Sequence, residues 1–126
     1  MLQKRAIRII KNFDYYEPTN KLFNKLHALK FVDLVDFYTA QVMYKVYNNV
    51  LPNCIQRLFT IRGSQYKLRG LCMFNKIRAK TNIKSRSISV KGVNLWNNCD
   101  REFKLCTSLC KFKKMFKNKV INNYII

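Results

Sequence analysis

Residues 33–49 read DLVDFYTAQVMYKVYNN, apolar on almost every side: Leu34, Val35, Phe37, Tyr38, Val42, Met43, Val46 and Tyr47 leave little room for a wet face. Asp33 can cap a helix here, running to about Asn49. A helix that is apolar all round is a buried helix, so the remaining sequence has to supply its cover. At 126 residues the chain has one domain's length. Folding at that size removes roughly two-thirds of the unfolded chain's surface from water, enough for one core. The 48% hydrophobic and 13% aromatic residues argue against intrinsic disorder.

The cover is strongly basic. Twenty-five Lys and Arg against six acids give a net charge of +19. Such a balance fits a polyanionic partner, nucleic acid first and an anionic membrane surface second. The plainer account is a solvated, Lys-rich surface, or an AT-rich genome that favours Lys and Asn codons. The charge is uneven. Residues 31–60 carry only Lys45 and Arg57, balanced by Asp33 and Asp36; residues 61–99 hold nine cations and no acid; residues 103–126 hold six more cations and again no acid. A neutral centre with basic flanks implies a buried middle and an electropositive exterior. There is no internal repeat, low-complexity tract or linker, so one basic domain spans residues 1–126.

No apolar run approaches the roughly 20 residues of a membrane span. The start, MLQKRAIRIIKN, lacks the apolar centre and cleavage site of a secretory signal. It is basic and amphipathic, as mitochondrial targeting peptides are, but without their serines. Five cysteines, an odd number, and no secretion signal point to reduced thiols in an intracellular compartment, nucleus or cytoplasm.

Periodicity predicts a mainly α-helical domain with helices at residues 2–12, 20–30, 33–49, 53–59 and 107–122. In the first, Leu2, Ala6, Ile9 and Ile10 share a face, with Lys4, Arg5, Arg8 and Lys11 mostly opposite. Leu22, Phe23, Leu26 and Leu29 make the stripe of the second. Leu105, Leu109, Phe112, Phe116 and Val120 make that of the last, with Lys111 and Lys114 opposite. Alternation in SRSISV predicts a strand at about 86–91, paired antiparallel with about 66–74 in a small hairpin. Gly92 then breaks into a short helix near 93–98.

Catalytic patterns are wanting. Asp33 and Asp36 sit three apart on a helix and could converge on metal ions; acids near a helix N-terminus also simply offset its dipole. His27 is the only histidine, with no orienting acid nearby. Cys106 and Cys110 have a zinc-like spacing but no second pair, and GSQYKLRG lacks the spacing of a phosphate loop. The expectation is no catalytic residue, no metal and no cofactor. Nucleic-acid contact is better supported. Arg62, Lys67, Arg69, Lys76, Arg78, Lys80, Lys84 and Arg86 cluster around the expected hairpin, with Lys91, Lys111 and Lys114 as further cations. Cations bind phosphate and release counterions. Tyr66 and Phe74, interleaved among them, either stack on unpaired bases or face the core.

Four stretches taken in order resemble one family: LQKRAIRII at 2–10, LFNKLHALKFVDLVDFYTAQVMYKVYNNVLP at 22–52, RAKTNIKSRSISVKGVNLWNN at 78–98 and SLCKFKKMFKNKVI at 108–121. The order is similar to the region after the polymerase core in reverse transcriptases of LINE-type (non-LTR) retrotransposons. Leu51-Pro52, Gly92, Trp96-Asn97 and Phe112-Lys113-Lys114 match the family pattern; Val93 departs, where many relatives have proline. The resemblance implies RNA-directed DNA polymerase chemistry in a whole element, carried by an aromatic-x-Asp-Asp motif and a further aspartate. This sequence has no adjacent aspartate pair. It therefore looks like a non-catalytic C-terminal fragment, without palm, fingers or endonuclease, that binds RNA or DNA phosphates with low specificity. The alternative is a structural remnant that packs on the missing polymerase core; a basic peripheral membrane protein is a third option. In each, SISVKGVNLW reads as a structural staple, with Gly92 and Trp96 as its anchors.

Overall fold

The structure, a computed structural model, describes residues 2–63 and 73–124. Eight helices lie among the described residues: α1 (Leu2–Lys11), α2 (Thr19–Lys25), α3 (Phe31–Tyr47), α4 (Asn53–Gln56), α5 (Asn82–Arg86), α6 (Ile88–Asn98), α7 (Arg101–Lys104) and α8 (Leu109–Asn122). None is long and apolar enough to cross a membrane.

The helical reading holds with shifted ends. α2 closes early because His27 adopts a left-handed φ of 48°, a conformation that ends helices. Lys30, not Asp33, precedes the first turn of α3. α4 is a single turn, with Leu58 and Phe59 beyond it. α8 starts after Ser108, whose hydroxyl accepts the Lys111 N–H; Leu105 falls outside the helix and is exposed.

The expected hairpin is overturned. Arg86 closes α5, Ser87 is an extended link (φ −63°, ψ 151°), and Ile88–Lys91 open α6. The partner segment, as far as residue 72, lies outside the described residues. What remains is one isolated antiparallel bridge, Ile61 to Phe74, in which the Arg62 N–H donates to Met73 O (2.9 Å) and the Asn75 N–H to Thr60 O (2.8 Å). Alternation over a few residues fits either period, and here tertiary burial selects the helix. Ser89, Val90, Gly92, Val93, Trp96 and Asn97 all turn inward, a spacing that one helical face satisfies and one strand face does not. Gly92 is therefore not a break but an interior helical position. A Cβ there would stand 2.8 Å from Met43 Sδ, so its missing side chain lets α6 approach α3.

α3 packs between α6 and α8. Ala40, Met43, Tyr44 and Val46 join Phe59, Phe74, Val93, Trp96, Phe103, Phe112 and Phe116 in the main core. The Tyr44 hydroxyl donates to Cys106 O (2.8 Å), and burial pushes its pKa up. A second cluster gathers Ile7, Leu22, Phe23, Leu29, Ile121 and Tyr124. Phe37 and Val120 pack against both. In the first half of α3 Leu34 and Phe37 pack on the cores, while Phe31, Val32, Val35 and Tyr38, on the other side, are exposed.

Candidate nucleic-acid interface

The scaffold of this surface is the buried half of the segment read as a staple. Trp96 is 0% exposed, with Tyr47 (5.3 Å), Phe74 (6.3 Å) and Phe112 (6.3 Å) ring centroids around it. Beside it, the Asn97 side chain closes on one residue's backbone. Its Oδ1 accepts the Phe74 N–H and its Nδ2 donates to Phe74 O, both at 2.9 Å. Phe74 itself is buried and belongs to the core, not to a stacking surface. The Asn97 clamp, with the bridge to Ile61, fixes where the basic segment 75–86 leaves the core.

Along that segment Lys76, Arg78 and Lys80 are exposed in the stretch between the bridge and α5, and Lys84 and Arg86 are exposed on α5. Thr81 holds α5 in place: its Oγ1 accepts the Lys84 N–H (3.2 Å). Ser85 and Ser87 hydroxyls donate to Asn82 O and Lys84 O, each at 2.7 Å. Arg62, across the bridge, is exposed as well. None of these six cations forms an ion pair among the described residues. Lys67 and Arg69 lie outside the described residues. Lys91 is placed differently, since its ammonium pairs with Asp36 at 2.6 Å and so ties α6 to α3. Lys111 and Lys114 are exposed on α8, a second basic surface.

Among the described residues the groups screened for chemistry do not come together. Asp33 accepts the Tyr124 hydroxyl and Asp36 takes Lys91, so the two acids are divided between separate contacts. His27 is exposed at its left-handed turn. Cys106 is buried and Cys110 exposed, as residues on different sides of the chain's last turn into α8. Burial pushes the half-buried Cys99 thiol up, against the lowering pull of Lys104 and Lys119; a raised thiol carries little thiolate at neutral pH. Among the described residues no three His, Cys, Asp or Glu side chains converge as for a metal ion.

Asn97 was within reach of the sequence only as half of a Trp-Asn pair. Its clamp on a backbone 23 residues upstream follows from no spacing rule. Compared with protein-family models, curated proteins and solved structures, the chain matches none.

Proposed function

We propose that this chain is a nucleic-acid-binding module without chemistry of its own, of the kind that follows the polymerase core in LINE-type reverse transcriptases. The observation that carries the reading is the set of exposed cations Arg62, Lys76, Arg78, Lys80, Lys84 and Arg86, none in an ion pair among the described residues, in a stretch with no acid between residues 61 and 99. Cations outside ion pairs are available to phosphate, and they grip backbone without reading bases. Six contacts on a duplex give a salt slope of about −5, so affinity falls about a thousandfold between 50 and 200 mM salt. The test is a salt titration with mixed-sequence RNA and DNA. Lys84→Glu with Arg86→Glu should flatten the slope by about 2. Binding that ignores salt, or none at 50 mM, would overturn the reading.

A second reading, a module that packs on a polymerase core, rests on the uncovered face of α3 at Phe31, Val32, Val35 and Tyr38. Such a contiguous apolar face marks a missing partner surface. The same titration separates the two: a chain that ignores nucleic acid at 50 mM salt favours packing.

A further inference from the structure

α1 turns its apolar stripe away from the protein. Gln3 and Ile7 hold the helix down. The Gln3 amide donates to Leu29 O (3.0 Å) and its Oε1 accepts the Phe31 N–H (2.9 Å), while Ile7 enters the second core. That anchoring leaves Leu2, Ala6, Ile9 and Ile10 along one flank in solvent, with Leu2 82%, Ile9 75% and Ile10 68% exposed. Lys4, Arg5 and Arg8 run along the other flank. Just beyond the helix stand Tyr15 and Tyr16, both largely exposed. The Tyr15 ring lies 5.2 Å from the Arg8 guanidinium and edge-on to Tyr16.

The chemistry of this ridge selects its partner. A phosphate chain would satisfy the cations and leave the apolar flank wet. A second copy brings its own +19 and is repelled. A bilayer surface with anionic lipid satisfies every part. Apolar side chains enter the acyl boundary, Lys and Arg reach headgroup phosphates, and tyrosine rings sit at the interface between them. A convex helix laid on a fold edge also needs no groove in its partner. We propose that α1, with Tyr15 and Tyr16, is a surface anchor for anionic lipid bilayers, separate from the basic segment that binds nucleic acid.

The test is sedimentation of the full chain with vesicles of phosphatidylcholine and phosphatidylserine, against phosphatidylcholine alone. The wild type should bind the anionic vesicles. The variant L2S/I9S/I10S keeps every charge and alters only exposed side chains. It should melt as the wild type does, bind nucleic acid unchanged, and bind vesicles about a hundredfold more weakly. Lys4→Gln and Arg5→Gln should each cost about fivefold. If the triple variant binds vesicles like the wild type, the cations act alone and the stripe is no anchor. If the wild type ignores the vesicles, or self-associates through the stripe in sedimentation velocity while the triple variant stays monomeric, the lipid assignment fails.

Discussion

Two neighbouring side chains, Trp96 and Asn97, do different work for the same core. The indole fills the centre, 0% exposed; the amide pairs both backbone groups of Phe74 where no strand does so. Trp96→Ala should cost about 3–5 kcal/mol through the cavity it leaves. Asn97→Ala opens almost no cavity but orphans a buried donor and a buried acceptor, at about 1–3 kcal/mol each. Urea denaturation followed by circular dichroism measures both. A Trp96→Ala protein with unchanged stability and lost RNA binding would instead make the indole a base-stacking platform. The indole was legible, because a lone Trp in an apolar stretch has few other uses. The amide was not, because a polar side chain discloses its partner only in three dimensions. Gly92 was legible as an anchor for the wrong reason. It serves close packing against Met43, not a turn.

At the scale of elements, the long stripes placed their helices, though not every member is buried (Leu105 falls outside α8 and is exposed), and the short patterns were misread. In α8 Phe112 and Phe116 are buried as their spacing requires. In 86–91 a few alternating residues could not outvote the inward face of a helix that begins at Ile88. α1 shows another limit. Its strongest stripe is real, but two residues outside it, Gln3 and Ile7, make the attachment, so amphipathicity marked the apolar face without saying which way it points. α5 was missed, since five residues carry no periodicity; Thr81 before Asn82 was its one sequence signal. So short a helix is marginal by itself, and the Thr81 cap adds to the Ser85 and Ser87 hydroxyl bonds in keeping Lys84 and Arg86 in place. Thr81→Ala should remove about 1 kcal/mol of local helix stability, leave the global melting of the chain unchanged, and weaken nucleic-acid binding severalfold. Calorimetry and the salt titration check this together. Unchanged affinity would mean that charge count alone, not α5 geometry, sets the binding.

For the whole molecule, the neutral middle read as buried is buried only in part, with Phe31, Val32, Tyr38, Val50 and Leu58 exposed, and the division into two cores was not readable, because it depends on residues far apart in the chain. Tyr124 is such a residue. Its ring packs in the second core with Phe23 (6.2 Å) and under the Lys30 ammonium (4.4 Å). Its hydroxyl donates to Asp33 and accepts the Lys30 N–H (3.1 Å), tying the end of α8 to the start of α3. Burial first, and the hydrogen bond to Asp33 second, push the phenol from its ordinary 10.0 up to about 12. The fold therefore favours the neutral phenol. Its contribution is present in full below about pH 10 and is lost as pH rises toward about 12, where an ionised phenol would face the Asp33 carboxylate. Lysines and other tyrosines titrate in the same window, so wild type must be read against Tyr124→Phe, in which those groups are the same. The variant should be less stable than wild type at neutral pH, by about 1.5–3 kcal/mol for a hydrogen bond to a charged group. Its deficit in urea midpoint should hold constant to about pH 10 and close between pH 10 and 12. No deficit at neutral pH would show that the ring, which phenylalanine keeps, and not the hydroxyl, joins the two halves of the molecule; a deficit that persists unchanged at the alkaline end would show that the phenol does not ionise in that window.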